Sequence, residues 1–450
     1  MRFIPHTERE IGAMLETIGA PSVEDLIARV PVDLRQRAAI DLAPGLPEPE
    51  VAAELAALAA ANQGARDFVS FLGAGYYRHY VPASVRAICA RAEFATSYTP
   101  YQAEASQGTT QAIFEFQTLI TQLTGTEVAN ASMYDGASAA AEAVLMAHRL
   151  KPRRSVVALS HALWRDYRST IRTYLSALDN LEVVEAPFDA TTGVTNLPAL
   201  ERVADDRLLC TVTGYPNVFG AIEPFQKIAE ITHRAGAIAI SATAEALSLA
   251  LLKPPGAIGA DIVVGEAQSF GIPMQFGGPG LGFMATTMAH VRQIPGRLVG
   301  ETRDAEGRRA FTLTLATREQ HIRRERATSN ICTNHSLCAL AATVYLSLMG
   351  RQGLRALAER NVELAHEAAR RLAARGIGTR FNAPFFNEFA AIVRNPEAAL
   401  KAAERNGLLA GVALGADFPE LKDSILISVT EMNSNQDLDR LAEALAAEAR

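Results

Sequence analysis

Three short segments of the 450-residue chain carry residue types that could bind a small ligand. In the first, MYDGASAAAEA (133–143), a turn opens a helix. The N–H groups of Gly136, Ala137 and Ser138 would then lack helical partners and could cradle a phosphate. The alternative is a plain helix cap, in which Asp135 or Ser138 satisfies these donors. Taken alone, the motif favours the plain cap.

The second segment, SFGIPMQFGG (269–278), directly follows the apolar run ADIVVG. In α/β sheets, ligands gather beyond the carboxyl ends of the strands. We therefore expect Glu266, Gln268 and Ser269 to line any cleft at this place. An ordinary surface loop is an equally good interpretation of these residues.

The third segment, SYTPYQAEASQGTTQ (97–111), places Tyr98, Tyr101, Gln102 and Glu104 in a short loop before a helix. Such residues could bind a small polar ligand. Tyrosines in loops are equally often packing or interface residues. Spacing alone does not choose between these two roles.

Several other chemistries are excluded. The glycine-rich FGGPGLG (276–282) runs into a strand rather than opening a helix, so it does not fit a dinucleotide fingerprint. GAGYYRHY (73–80) lacks both the third glycine and a preceding strand. The histidines are scattered, no Ser/His/Asp triad can be assigned, and the four cysteines fit no common zinc spacing. We predict no metal site.

Charge and hydropathy limit the partners and the location. A formal net charge of −6 does not support nucleic-acid binding, which normally leaves a basic footprint. The opening MRFIPHTERE lacks the pattern of a signal peptide, and no apolar run is long enough to span a membrane. We therefore expect a cytoplasmic protein that binds neither nucleic acid nor membrane.

The order of secondary-structure elements predicts an α/β fold. Helical segments dominate residues 1–125. From 126 to 300, short apolar strands such as SVVALS, LLCTVTG and GAIAIS alternate with helices, which indicates a buried, mostly parallel sheet. From 301 to 450, a helical connection leads to strand-like GIGTRF, EFAAIV and SILISV. We predict an N-terminal helical segment and arm, a large α/β domain and a smaller C-terminal α+β domain over these three ranges.

Long strings along nearly the whole chain resemble one family. They include FLGAGYYRHYVPASV, TSYTPYQAEASQGTTQAIFEFQTLI, GADIVVGEAQSFGIPMQFGGPGLGFMA and LTLATREQHIRRERATSNICTN. Together they resemble the alpha subunits of two-subunit glycine decarboxylases, the P-proteins of the glycine cleavage system. That resemblance implies the fold type I architecture of aspartate-aminotransferase-like enzymes, whose cofactor is pyridoxal phosphate.

The chemistry implied by the resemblance needs a lysine to hold the cofactor, a carboxylate beside its ring nitrogen and a phosphate cradle. The chain departs from this pattern. Gln268 and Ser269 occupy the loop where the lysine is expected, and Ser241 stands at the expected aspartate. We therefore predict no catalytic residue in this chain, which alone would be inactive. Only a vestigial phosphate cradle would survive at 136–138.

The resemblance also implies partners. The beta subunit would carry the lysine and the pyridoxal phosphate, with none bound covalently to this chain, and an α2β2 assembly is expected. The complex would decarboxylate glycine and pass the aminomethyl group to the lipoyl arm of the H-protein. The loop Tyr98–Glu104, with Tyr101 and Gln102, is our candidate for a wall of the beta active-site channel or for the interface.

Three alternatives stay open at this point. The chain could be an active pyridoxal-phosphate enzyme that uses Lys227 or Lys253. It could be a catalytically inactive scaffold or regulator outside glycine cleavage. A nicotinamide-dependent dehydrogenase is the weakest of the three, because the hydride step of the system belongs to a separate flavoprotein.

Overall fold

The computed structural model describes residues 5–38, 42–64, 67–96 and 98–448. The first four residues and Ser97, which belong to strings quoted above, lie outside the described part. The chain divides into two compact units after Gly64. The predicted boundaries at 125 and 300 stay predictions.

The first unit consists of short helices, with bounds α1 Glu8–Ile18, α2 Val23–Leu26, α3 Val32–Arg37 and α4 Glu48–Ala60. A capping box opens α1, in which the Thr7 N–H donates to Glu10 Oε2 (2.7 Å) and the Glu10 N–H donates to Thr7 Oγ1 (3.4 Å). Ser22 caps α2 by accepting from the Asp25 N–H at 3.2 Å.

The helices of the second unit are α5 Ala83–Cys89, α6 Ala92–Ala95, α7 Gln107–Thr124, α8 Gly136–Leu150, α9 Arg165–Leu175, α10 Leu197–Val203, α11 Phe225–Arg234, α12 Gln320–Arg323, α13 Ser336–Ala373, α14 Pro396–Arg405 and α15 Asn435–Glu448. Its strands are β1 Val69–Ser70, β2 Val128–Ala129, β3 Val156–Ser160, β4 Glu182–Ala186, β5 Leu208–Gly214, β6 Ile238–Thr243, β7 Ile262–Glu266, β8 Gly282–Thr286, β9 Leu298–Arg303, β10 Arg309–Thr314, β11 Glu388–Ile392, β12 Leu408–Leu409, β13 Val412–Ala413 and β14 Ser424–Ser428. No helix in the described ranges is both long and apolar enough to cross a membrane.

A seven-stranded sheet in the order β2-β8-β7-β6-β5-β3-β4 forms the centre of the large unit. The strands from β7 to β4 pair in parallel, and β8 pairs antiparallel with both β7 and β2. Strands β3, β5, β6, β7 and β8 are buried along their whole length, which explains their nearly continuous apolar sequences. The predicted mostly parallel α/β sheet is confirmed.

The alanine-rich helix α8 lies against β5, β6, β7 and β8. Most of its length is buried, including Ala139, Ala140, Ala143 and Val144. Small side chains allow the helix axis to approach the sheet closely while the apolar surface leaves water. This contact fixes the N-terminus of α8 beside the end of β7.

The smaller C-terminal sheet has the order β11-β14-β13 and is covered by α14, α15 and the second half of α13. The predicted strands EFAAIV and SILISV correspond to β11 and β14. The prediction of a strand at GIGTRF is wrong: in it only Thr379 forms a β-bridge, to Ala391. Gly376 has left-handed φ (85°) and turns the chain out of α13 instead of starting a ladder. The antiparallel hairpin β9–β10 was not predicted.

Helix α13 contains a kink at Gly350, whose φ of 59° and ψ of 178° are not helical. Gly353 lies one turn further along in ordinary helix, where an added Cβ would meet only Met349 at 3.6 Å. We expect Gly350→Ala to lower the free energy of unfolding by about 1 kcal/mol or more, because alanine is strained at positive φ. Gly353→Ala should raise it by up to about 1 kcal/mol.

Urea titration of the two variants beside the parent chain measures both changes. Equal shifts of the same sign in both variants would contradict this account of the kink.

Candidate functional site

The carboxyl end of β7 meets the N-terminus of α8 at a cavity of about 250 Å³. Its lining comes from four parts of the chain, and the polar and aromatic members are Tyr76, Asp135, Trp164, Asp166, Tyr167, Ser169, Thr170 and Glu266. A cleft beyond the ends of parallel strands is the usual ligand position in an α/β sheet. The predicted cleft residue Glu266 therefore lies in a cavity of the expected kind.

Glu266 is buried, with 2% of its surface exposed, and forms the floor of this cavity. Its Oε1 accepts from the N–H groups of Leu281 (2.6 Å) and Gln268 (3.1 Å), and its Oε2 accepts from the N–H of Gly136 (3.1 Å). Burial raises the pKa of this carboxyl to about 7, although the three N–H donors oppose the rise. We call the cavity the Glu266 pocket.

Two of the three N–H groups predicted to cradle a phosphate, those of Gly136 and Ser138, donate to carboxylates of the protein. Gly136 begins α8 and donates to Glu266, while the Ser138 N–H donates to Asp135 Oδ1 at 2.7 Å. Asp135 and Ser138 form a reciprocal capping box. The arrangement agrees with the plain-cap alternative, and Ala137 and Gly136 line the pocket beside two carboxylates.

Gln268 and Ser269 lie in the turn after β7, and Ser241 lies inside β6. The Gln268 side chain is buried, accepts from the Tyr77 N–H (3.1 Å) and donates to the Ile272 carbonyl (2.6 Å). The Oγ atoms of Ser241 and Ser269 are buried without a hydrogen-bond partner in the described chain. Strand β6 continues two residues past the predicted end at Ser241. These three residues do not line the Glu266 pocket.

The loop 73–80 closes one side of the pocket and joins the large sheet to the small one. Glu388, at the start of β11, accepts from the Ala74 N–H (2.7 Å) and from the Tyr77 hydroxyl (2.9 Å). Burial raises the pKa of Glu388 to about 8. The space at Gly73 is filled, since an added Cβ would lie 2.1 Å from a Glu388 oxygen.

His79 fixes the end of the same loop between two carboxylates. Its Nε2 lies 3.0 Å from Glu245 Oε2 and its Nδ1 lies 2.9 Å from Glu431 Oε2. Burial by itself lowers the pKa of His79, but the two carboxylates outweigh it and raise the pKa to about 10. Burial raises the pKa of Glu431, but the hydrogen bond and the positive charge of His79 outweigh burial and lower this pKa to about 2.

The four predicted interface or channel residues Tyr98, Tyr101, Gln102 and Glu104 are all exposed. The Tyr98 hydroxyl lies 3.1 Å from the Thr333 Oγ1. The Tyr101 hydroxyl accepts from Arg297 (2.9 Å), whose guanidinium also lies 5.3 Å from the ring centroid. None of the four is part of the lining of the Glu266 pocket.

The five lysines of the chain lie on the surface and away from this pocket: Lys151, Lys227, Lys253, Lys401 and Lys422. Lys253 lines a separate cavity beside α11, together with His233 and Glu230. Lys227 is an exposed residue of α11 itself. The geometry therefore does not favour an active enzyme that uses Lys227 or Lys253. No group of side chains suited to a metal ion occurs within the described ranges.

Sequence reasoning missed Trp164, Asp166 and Tyr167 as pocket residues. They come at the start of α9, directly after the turn that follows β3. Their position after a parallel strand was the available signal, because β3 ends at the same sheet edge as β7. Tyr76 entered the sequence analysis only within GAGYYRHY, which was rejected as a dinucleotide fingerprint.

Comparison with known proteins gives a family match along the chain. Residues 1–445 match the family model described as "Glycine cleavage system P-protein". The chain belongs to the glycine cleavage system P-protein family. A relative from Geobacillus kaustophilus, described as "Probable glycine dehydrogenase (decarboxylating) subunit 1", is 48% identical over 445 residues, 99% of this chain and 98% of the relative. A relative of the same description from Anaeromyxobacter dehalogenans is 48% identical over 451 residues, 99% of this chain and all of the relative.

Solved structures agree with the P-protein assignment. A crystal structure of glycine decarboxylase (P-protein) of the glycine cleavage system, in inhibitor-bound form, superposes with a TM-score of 0.90 at 45% identity, covering 99% of this chain and 100% of that one. A NifS-like protein has a TM-score of 0.64 at 12% identity, covering 84% of this chain and 98% of that one, which supports the fold alone. The predicted fold type I architecture is confirmed, and a scaffold role outside glycine cleavage is not favoured.

The Glu266 pocket does not fit pyridoxal phosphate, the cofactor of this fold class. The turn after β7 offers the Gln268 amide in place of an amine, and the amide is already bonded on both sides. The N-terminus of α8 is occupied by the carboxylates of Glu266 and Asp135, which would repel a phosphate dianion. In this chain we derive no chemical step through the cofactor.

Replacing His79 tests the electrostatics of the loop 73–80. Because the folded-state pKa of about 10 lies above the usual value of 6.5, the His79 contribution to stability is complete below about pH 6.5. It is lost as the pH rises through 10. We expect His79→Gln to lower the free energy of unfolding by about 3 to 5 kcal/mol at pH 6.5, since it leaves buried carboxylates without their cation.

The difference between parent and variant should shrink steadily in urea titrations from pH 6.5 to pH 10. His6→Gln, at an exposed histidine, is the control and should change little at any pH. If His79→Gln lowers the free energy of unfolding by the same amount at every pH, His79 is not charged in the folded protein.

Proposed function

We propose that this chain is the alpha subunit of a two-subunit glycine decarboxylase and is inactive alone. The observation that carries the proposal is the turn after β7, where Gln268 and Ser269 stand in place of a lysine in a chain that otherwise matches the P-protein family along its length. Relatives described as "subunit 1" support a second subunit. That subunit, the beta subunit, supplies the lysine and holds the pyridoxal phosphate.

In the proposed complex, glycine loses its carboxylate as CO2 at the beta site, and the aminomethyl group passes to the lipoyl arm of the H-protein. The cofactor supplies the electron sink for this reaction when it is bound to beta. The alpha chain contributes binding surface and a rigid body beside that site. We infer an α2β2 assembly, in keeping with the two-fold symmetry common among oligomers, and a cytoplasmic location.

Reconstitution tests this division of labour. Purified alpha, purified beta and their mixture are each assayed for exchange of the glycine carboxyl with labelled bicarbonate, with sedimentation of the same samples. We expect activity only in the mixture and a complex of two copies of each chain. Full exchange activity of beta alone would refute a requirement for this chain.

The loop Tyr98–Glu104 is our proposed contact with beta. Both tyrosine rings project from the surface, with 76% of Tyr98 and 53% of Tyr101 exposed, and Arg297 holds Tyr101 in place. Exposed tyrosines held by neighbouring groups are typical anchors of protein interfaces, because they bury much area with little loss of side-chain freedom.

We expect Tyr98→Ala to weaken the affinity for beta by about ten-fold, measured by titration of labelled beta, because truncating an interface aromatic commonly removes 1 kcal/mol or more. Tyr174→Ala, at an exposed tyrosine of α9, is the matched control and should bind beta as the parent does. Equal affinities of Tyr98→Ala and the control would remove this loop from the interface.

A further inference from the structure

The Glu266 pocket concentrates negative charge without a compensating cation. Three carboxylates line it, from Asp135, Asp166 and Glu266, and no lysine, arginine or histidine is among its lining residues. The same three carboxylates act on the phenols beside them and raise the pKa of Tyr76 and of Tyr167, after the larger effect of burial. A ligand for this space must therefore carry positive charge.

Two buried polar atoms in the wall of the pocket lack partners. The Tyr167 hydroxyl and the Trp164 Nε1 make no hydrogen bond within the described chain. Both residues are buried, with only 5% of Tyr167 and 3% of Trp164 exposed. The hydroxyl lies at the floor, since a Cβ added to Gly136 would meet it at 1.8 Å and Glu266 Cβ at 3.1 Å. Leaving a buried polar group unpaired is costly, and the Tyr167 hydroxyl, unlike the donor-only indole N–H, can accept from a cation, so Tyr167 indicates a missing ligand group.

Aromatic rings form a further part of the wall, beside the hydroxyl residues Ser169 and Thr170. Tyr76, Trp164 and Tyr167 border the pocket, and the rings of Trp164 and Tyr167 lie 5.3 Å apart. Aromatic faces attract organic ammonium ions through the ring quadrupole. A strongly hydrated metal ion would instead require several free oxygen ligands, but Asp135 and Glu266 already accept backbone N–H groups.

We propose that the Glu266 pocket binds a small primary ammonium ion. The ammonium group lies against the carboxylates of Glu266 and Asp166, its alkyl part lies against the aromatic rings, and the Tyr167 hydroxyl accepts from the ammonium. A ligand that also carries a carboxylate, as glycine does, binds less well because the acidic lining repels it. This proposal concerns a ligand of the alpha chain itself and is independent of the function proposed above.

The chain contains one tryptophan, and it is Trp164, so its fluorescence reports directly on this pocket. At pH 8, above the pKa of about 7 for Glu266, the full chain is titrated with ethylammonium chloride, with potassium chloride at equal ionic strength, with sodium phosphate and with glycine. We expect a saturable change of emission with ethylammonium only, matched by heat in calorimetric titration. Equal saturation by potassium, or binding of phosphate, would overturn the proposal.

Two variants locate the site. We expect Asp166→Asn, at an exposed carboxylate of the rim, to weaken ethylammonium binding by about five-fold. Glu266→Gln should weaken it by about ten-fold or more, because a charged hydrogen bond becomes neutral. Asp206→Asn removes the same charge from an exposed position outside the pocket and should leave the affinity unchanged.

The Asp166 variant keeps the test decisive should Glu266→Gln fail to fold. Unchanged affinity in Asp166→Asn, or an equal loss in Asp206→Asn, would show that ethylammonium does not bind in the Glu266 pocket.

Discussion

The carboxylate of Glu266 is held at the N-terminus of α8 by N–H groups from Gly136, Gln268 and Leu281. This contact joins the end of β7, the start of α8 and the residue that precedes β8. In a fold of this class, the same helix end is suited to an anion because the dipole and the free N–H groups favour negative charge. Here the protein supplies the anion itself. The acidic lining of the pocket includes this carboxylate, which disfavours a phosphate at the same helix end.

The loop 73–80 is also held in place by polar groups of the protein itself. Buried polar contacts between protein groups hold this loop against both sheets. Gln268 binds the backbone of Tyr77, Glu388 binds the Tyr77 hydroxyl, and His79 joins Glu245 to Glu431. Buried charges are stable only when they are paired, so each of these contacts depends on the others. The cleft therefore remains ordered by the protein's own groups.

Sequence reasoning recovered what is encoded locally. The buried strand LLCTVTG has the bounds predicted from its apolar sequence, and the absence of lysine at Gln268 is visible in the sequence itself. Contacts between distant residues were out of reach. Glu266 and Gly136 are 130 positions apart, and His79 and Glu431 are 352 apart. The strand predicted at GIGTRF is absent although the segment has an alternating apolar pattern. Gly376 has a left-handed φ, and only the single bridge at Thr379 forms.

The free-energy cost of its buried polar groups indicates that the Glu266 pocket binds a ligand. Raising the pKa of Glu266 from 4.5 to about 7 corresponds to on the order of 3 kcal/mol of unfavourable burial for the ionised form. The unpaired Tyr167 hydroxyl and Trp164 Nε1 add to that cost. A structural core would lower its energy by replacing these groups with apolar ones, since buried charges without a pairing cation destabilise the folded state. Groups that reduce stability in this way concentrate where a protein binds or reacts. Their presence at the end of β7 therefore supports a ligand site in the Glu266 pocket rather than a purely structural core.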